Sequence, residues 1–203
     1  MKLFFHYCSF GFSNCYVLGS KDPPQAILID PGSMDRQILK YVEENGFLLR
    51  AVLITHDHVN HVHGLRTLWR IYPVEIIAIN SRILDIKATP VRDGDKLDIG
   101  PFSIEVISIP GHSSDSVVYR IDNMLFTGDV LTSGLVGSTD SSYGAKTQMN
   151  ALRSRLLSLP GDYTVLPGHG PPSTLEAERR YNVGITQYNE MQNRRPGFKL
   201  NLS

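Results

Sequence analysis

Four histidines, His56, His58, His61 and His63, fall within eight positions of the stretch "THDHVNHVHG", Thr55 to Gly64, in a chain that has only seven. Imidazole is the commonest metal-binding side chain near neutral pH. The stretch follows the apolar run "AVLIT" and ends at a glycine. A strand end presents residues i and i+2 to one side, and the turn beyond it can bring in residue i+5. His56, His58 and His61 have that spacing. Position 60, where a carboxylate would complete the set, holds Asn60. His63 reads as a surface residue at a helix start, and as the spare imidazole if one is needed.

Three further points place a polar ligand type at the end of a short apolar run beside glycine. "VISIPGHSSDS" delivers His112, "MLFTGDVL" delivers Asp129 and "YTVLPGHGP" delivers His169. Each alone reads as a helix cap or a satisfied histidine. Together they put ligands at the ends of four strands, which parallel packing could gather at one rim.

The elements that must do this gathering follow from hydrophobic periodicity. "KLFFHYC", "CYVLGS" and "QAILID" read as strands, and Ser33 as the cap of a helix carrying Ile38, Leu39 and Val42, stopped by Asn45-Gly46. "AVLIT" then makes a strand–helix–strand unit, hence a parallel pair with a crossover helix. Leu65, Leu68 and Trp69 suggest a short helix and "VEIIAIN" a strand. Val91 to Val130 reads as a meander of "RDGDKLDI", "FSIEVISI", "SVVYRID" and "NMLFTGD". A helix near Lys146–Leu159, the strand "YTVLPGHG" and a last helix complete the chain. That helix starts at Ser173, with Glu176 at capping-box spacing, and runs towards Asn193. Two packed mixed β-sheets with helices on both outer faces would bury these patterns within one domain over residues 1–203.

Lys plus Arg and Asp plus Glu each number 20, so the net charge is zero. That gives no support for a nucleic-acid or anionic-membrane surface. No run approaches the apolar length of a membrane span. The N-terminal apolar run, interrupted by His6, reads as a first strand rather than a signal peptide. Cys8 and Cys15 read as two buried thiols of a cytoplasmic protein. The expected partner is a small-molecule substrate.

The order His-x-His-x-(Asp)-His, followed by His, Asp and His after "PG", "TG" and "PG", resembles the metallo-β-lactamase-fold hydrolases, over roughly Asn14 to Asn182. The resemblance implies an α/β, four-layer αβ/βα sandwich with a two-metal site on one edge. It puts His56, His58 and His112 in the first metal site, and His61 and His169 in the second, with Asn60 where the family has Asp. Asp129 would bridge the two, and Asp30 of "ILIDPG" would support the metal-binding loop. The segment "GHGPPSTLEAERRYN" is similar to small glyoxalase II-like proteins. Full-length glyoxalase II enzymes carry a further helical region that grips glutathione, and 34 residues follow His169 here. Ser138 of "GLVGSTD" stands where many relatives have arginine.

The resemblance implies a metal-dependent hydrolase of a thioester or small acyl ester, hydroxyacylglutathione hydrolase-like, using metal-activated hydroxide. Asn60 and Asp129 are its candidate catalytic positions. Asn60 is neutral and cannot take a proton, so one Zn2+ should be held tightly and a second should be partial or labile, with Fe or Mn as other candidates. Asn60 reads three ways: natural tuning, an engineered inactivation, or a non-catalytic metal- or ligand-binding protein. A second reaction class is a mononuclear non-haem iron oxygenase like the persulfide dioxygenases, with His56, His112 and Asp129 as the iron ligands. A nuclease finds no basic patch here. A flavodiiron protein would carry a carboxylate where this chain has His58. The turns Ser133–Gly144 and Ser9–Ser13 are expected around the substrate pocket, with Tyr143 either pointing into it or merely packing.

Overall fold

The computed structural model describes residues 1–72 and 74–193. The first sheet contains β1 (Lys2–Tyr7), β2 (Asn14–Lys21), β3 (Pro24–Ile29), β4 (Leu48–Leu53) and β5 (Glu75–Ala78). A small hairpin, β6 (Arg82–Ile83) and β7 (Ile86–Lys87), leads to its last strand, β8 (Thr89–Pro90). The order is β1-β2-β3-β4-β5-β8, antiparallel through β3 and parallel from there on. The second sheet is built from β9 (Lys96–Ile99), β10 (Phe102–Ser108), β11 (Val117–Ile121) and β12 (Met124–Gly128). After the hairpin β13 (Leu131–Thr132) and β14 (Leu135–Val136), β15 (Thr164–Pro167) and β16 (Ser173–Thr174) complete it. Its order is β16-β15-β12-β11-β10-β9, with β12 and β15 parallel.

Period-two alternation separates three cores. On β2, Tyr16 and Leu18 face the second sheet, where they meet Phe102, Ile104, Tyr119, Phe126 and Leu166. Their neighbours Cys15 and Val17 face the other way, towards Ile38 and Val42 of helix α1 (Arg36–Glu44). A one-turn helix α2 (Val59–Val62) and helix α3 (Leu65–Ile71) add Val62, Leu65 and Leu68 to that outer core. Val118, Leu125 and Val165 on the far side of the second sheet pack against Met149, Leu175 and Ile185. These come from α4 (Ser142–Ala151), α5 (Leu175–Tyr181) and α6 (Val183–Asn193). The arrangement is helix, sheet, sheet, helix, as the sequence patterns require.

Element ends differ from expectation at three places. Asp35, not Ser33, caps α1, accepting from the amides of Gln37 and Ile38. Asp35 lies next to the first helical residue, and its carboxylate reaches both orphan amides. The helix expected over Lys146–Leu159 begins at Ser142 under a Ser141 cap and ends in a π-helical turn over Leu152–Leu156. The last helix is capped by Thr174 rather than Ser173, whose hydroxyl donates instead to Glu178 at 2.6 Å. It breaks at Asn182, whose side chain bonds Glu178 and then accepts from the Ile185 amide. Cys8 and Cys15 are free, buried thiols.

Candidate metal centre

One rim of the sandwich collects the C-terminal ends of β4, β10, β12 and β15. The histidine loop leaves β4, His112 follows β10, Asp129 follows β12 and His169 follows β15. Backbone bonds lock these ends together. The Val117 amide donates to Thr55 O at 2.9 Å across the two sheets. Gly168 N donates to Gly128 O, and Asn14 N to Gly168 O, both at 2.7 Å. Gly168 is required there, because a Cβ would collide with Asp129 Oδ1 and His61 Cε1.

His56, His58 and His112 bring ligand nitrogens within 4.8 Å of one another, and so do His56 and His61 with a carboxylate oxygen of Asp129. His58 Nδ1 and His112 Nε2 lie 3.1 Å apart. Asp129 Oδ2 lies 3.8 Å from His56 Nε2 and 3.7 Å from His112 Nε2. Its Oδ1 lies 3.4 Å from His61 Nε2 and 2.8 Å from His169 Nδ1. The carboxylate thus stands between the two imidazole groups.

Asp30 organises the buried side of the centre. Its Oδ1 accepts from the Thr55 amide at 2.8 Å. Its Oδ2 accepts from the Thr55 hydroxyl at 2.6 Å and pairs with His61 Nδ1 at 3.0 Å. Having given its proton to Asp30, the Thr55 oxygen can only accept from His56 Nδ1, 3.1 Å away. One carboxylate therefore keeps a proton on Nδ1 of both histidines and leaves Nε2 as the nitrogen a metal would take. Nε2 of His56 and Nε2 of His61 are left facing Asp129, buried and without a hydrogen-bond partner. Two buried, unpartnered imidazole nitrogens converging on a carboxylate fit a cation. His112 is oriented in the same way, its Nδ1 meeting Ser138 O at 2.8 Å and its Nε2 facing His58.

Electrostatics agree with the geometry. Burial, reinforced by the neighbouring His61, pushes the His56 imidazole down to about 2, so it stays neutral, as a ligand must. For His61 burial works against the charge, but the carboxylates of Asp129 and Asp30 outweigh it and raise the ring to about 10. The same pairing reverses the effect of burial on Asp129, whose carboxyl is held well below the usual range by His169 and His61. The Asp129 contact also raises His169.

The predicted ligand positions all reach this rim, but not all in the expected relation. Asn60 points its amide nitrogen, not its carbonyl, at His169 Nε2, 3.0 Å away. His169 Nε2 is also 3.2 Å from Gly11 O. Asn60 and His169 therefore engage each other, while His61 and Asp129 form the compact part of the second group. His63 is exposed and stacks on Phe10 at 3.9 Å between ring centroids. Sequence reading missed Thr55, the Ser138 carbonyl and Gln148. Gln148 is fully buried, and its amide donates to Val130 O and Gly137 O, tying the Asp129 strand end to the segment that holds His112. A buried-face glutamine in a helix was the one available signal.

A profile described as the Metallo-beta-lactamase superfamily matches residues 8–169. The chain belongs to this superfamily. Hydroxyacylglutathione hydrolase GloC of Haemophilus influenzae is 30% identical over 193 residues, covering 83% of this chain and 91% of that protein. The mitochondrial persulfide dioxygenase ETHE1 of Homo sapiens is 33% identical over 183 residues, covering 84% and 70%. The crystal structure of ETHE1 from Myxococcus xanthus superimposes with a TM-score of 0.82 at 26% identity, covering 95% and 92%. The fold is that of the superfamily, which binds metals through His and Asp groups of the kind clustered here.

Proposed function

We propose that the protein is a metal-dependent hydrolase of a thioester or small acyl ester, with zinc held by His56, His58 and His112. The observation that carries this reading is the convergence of the ligand nitrogens of His56, His58 and His112 within 4.8 Å of one another, with His56 Nε2 buried and without a hydrogen-bond partner. A zinc ion bound there would polarise the acyl carbonyl and lower the pKa of water to about 7. His61, Asp129 and His169 would form a weaker second position, because Asn60 contributes no negative charge.

The chain's own residues divide the remaining work. Asp30 and Thr55 hold His56 and His61 in the ligating tautomer. Asp129, the ionised carboxylate between the two groups, would orient the attacking water. Water adds its oxygen to the acyl carbon, the carbon–sulfur or carbon–oxygen bond breaks, and a proton goes to the leaving thiolate or alkoxide. Likeness to GloC supports the thioester. The test is hydrolysis of a thioester by zinc-loaded protein, followed by thiol release, with His112→Ala as the expected inactive control.

One observation favours a second reading. His56, His112 and Asp129 form a two-histidine, one-carboxylate set with Nε2–Oδ2 distances of 3.8 and 3.7 Å, and ETHE1 is a similar protein. Such a set suits mononuclear Fe(II). Oxygen uptake on a persulfide by iron-loaded protein would establish it and displace the hydrolase.

A further inference from the structure

The turn between β1 and β2 presses on the centre. Ser13 Oγ donates to Asn60 O at 2.5 Å, Cys8 N donates to Ser13 O at 2.8 Å, and Gly11 O lies 3.2 Å from His169 Nε2. Gly11 fits so closely against Asn60 that a Cβ would strike the asparagine side chain. The turn is therefore clamped to both the histidine loop and the His169 loop. On either side of Gly11 it holds out an aromatic ring. Phe10 is 40% exposed and Phe12 is 65% exposed, and Phe12 sits at φ 55, a conformation an ordinary L-residue rarely adopts. Exposed Tyr7 stacks on Phe12 at 6.2 Å between ring centroids, Phe10 stacks on His63, and Val59, the residue before Asn60, is exposed as well. Large apolar side chains fixed in water next to a polar centre mark a binding surface.

Charge narrows what it binds. The segments that make the rim are residues 8–13, 56–63, 111–116, 133–140 and 168–173. None of them contains a lysine or an arginine. Their ionisable groups are histidines, Cys8 and the carboxylates Asp57, Asp115 and Asp140. A substrate bearing carboxylates or phosphates on its non-reacting arms would find no lysine or arginine on these described segments and would meet the exposed acids Asp57 and Asp140.

Building on the hydrolase reading, we propose that the site takes an uncharged ester or thioester whose apolar arm lies on Phe10 and Phe12, rather than a glutathione-like anionic thioester. The arm buries its hydrocarbon against the clamped rings while the acyl group sits over the metal-binding cluster.

Binding and turnover test this separately. Zinc-loaded full-length protein is titrated with straight-chain hydroxamates from two to eight carbons and with a carboxylate-terminated analogue, by calorimetry. Affinity is expected to rise roughly three- to fourfold per added CH2 over the contact length. The carboxylate-terminated analogue should bind more weakly than the neutral chain of equal length. In a double variant, Phe10→Ser with Phe12→Asn, asparagine tolerates the φ of position 12, and the ratio of eight-carbon to two-carbon affinity should collapse. A flat series, tighter binding of the carboxylate, or an unchanged ratio in the double variant would overturn the proposal. A rising series without hydrolysis of any ester or thioester would leave the apolar arm site standing and remove the hydrolase reading instead.

Discussion

Asn60 turns its amide nitrogen to His169 Nε2, 3.0 Å away, so that an N–H donor faces a nitrogen that should ligate metal. An aspartate of the same shape would present an anionic oxygen at that place. Asn60→Asp is expected to tighten the second metal by at least about tenfold while leaving the first unchanged, since ligand charge tunes affinity. Stepwise zinc titration with a chromophoric competitor reads both constants. Equal second-site affinity in the two proteins would disprove this account of the position.

Asp30 receives three hydrogen bonds and sets the tautomers of His56 and His61. Asp30→Asn keeps the shape and suits the φ of 50 at this residue. Its single carbonyl oxygen cannot serve the Thr55 amide as well as the hydroxyl and the imidazole, because the NH2 group accepts nothing. Metal affinity should fall roughly 10–100-fold. The cobalt-substituted protein should show a changed visible spectrum, which a purely structural defect would not produce.

His61 carries a proton in the metal-free chain up to about pH 10, against an ordinary value of 6.5. A raised folded value means that its contribution to stability is complete below 6.5 and is lost as pH climbs through about 10. Metal binding to Nε2 must displace that proton, so second-site affinity should rise with pH across the same window. Calorimetry in buffers of different ionisation enthalpy should record protons released on zinc binding at pH 7. His56, already neutral, should contribute none. Zinc binding with no proton release would rule this out.

Gln148 ties Val130 O and Gly137 O from α4, one residue beyond Asp129 and one before Ser138. Gln148→Leu should cost about 1–3 kcal/mol of stability, because Gly137 O loses this donor while Val130 O retains the Gly137 amide. That corresponds to roughly 2–4 °C of melting temperature per kcal/mol. First-site zinc affinity should drop as well, because His112 loses the firm placement of its Ser138 partner. Unaltered zinc affinity in a destabilised Gln148→Leu protein would confine the residue to a structural role.

Much of this arrangement was legible in the sequence because ligand spacing and strand periodicity are local. The i, i+2, i+5 histidines and the glycine-flanked strand ends needed only a chain trace to be noticed. Thr55 was not legible, because its part depends on where its single proton goes, and that is decided by Asp30, 25 residues away. The helix starts slipped by one or two residues where Ser33 and Asp35, or Ser173 and Thr174, offered equivalent caps. In the second pair the buried Glu178 took the serine hydroxyl and left the threonine to cap. The orientation of Asn60 was invisible for the same reason: position 60 meets His169 only in the fold.

The most direct test of the account is the metal content of the zinc-loaded protein after exhaustive dialysis, with thioester hydrolysis assayed on the same sample. The account predicts about one firmly held zinc per chain, a second that dialyses away, and measurable thiol release. Two zinc ions held equally well, or a single iron with oxygen uptake on a persulfide and no hydrolysis, would contradict it.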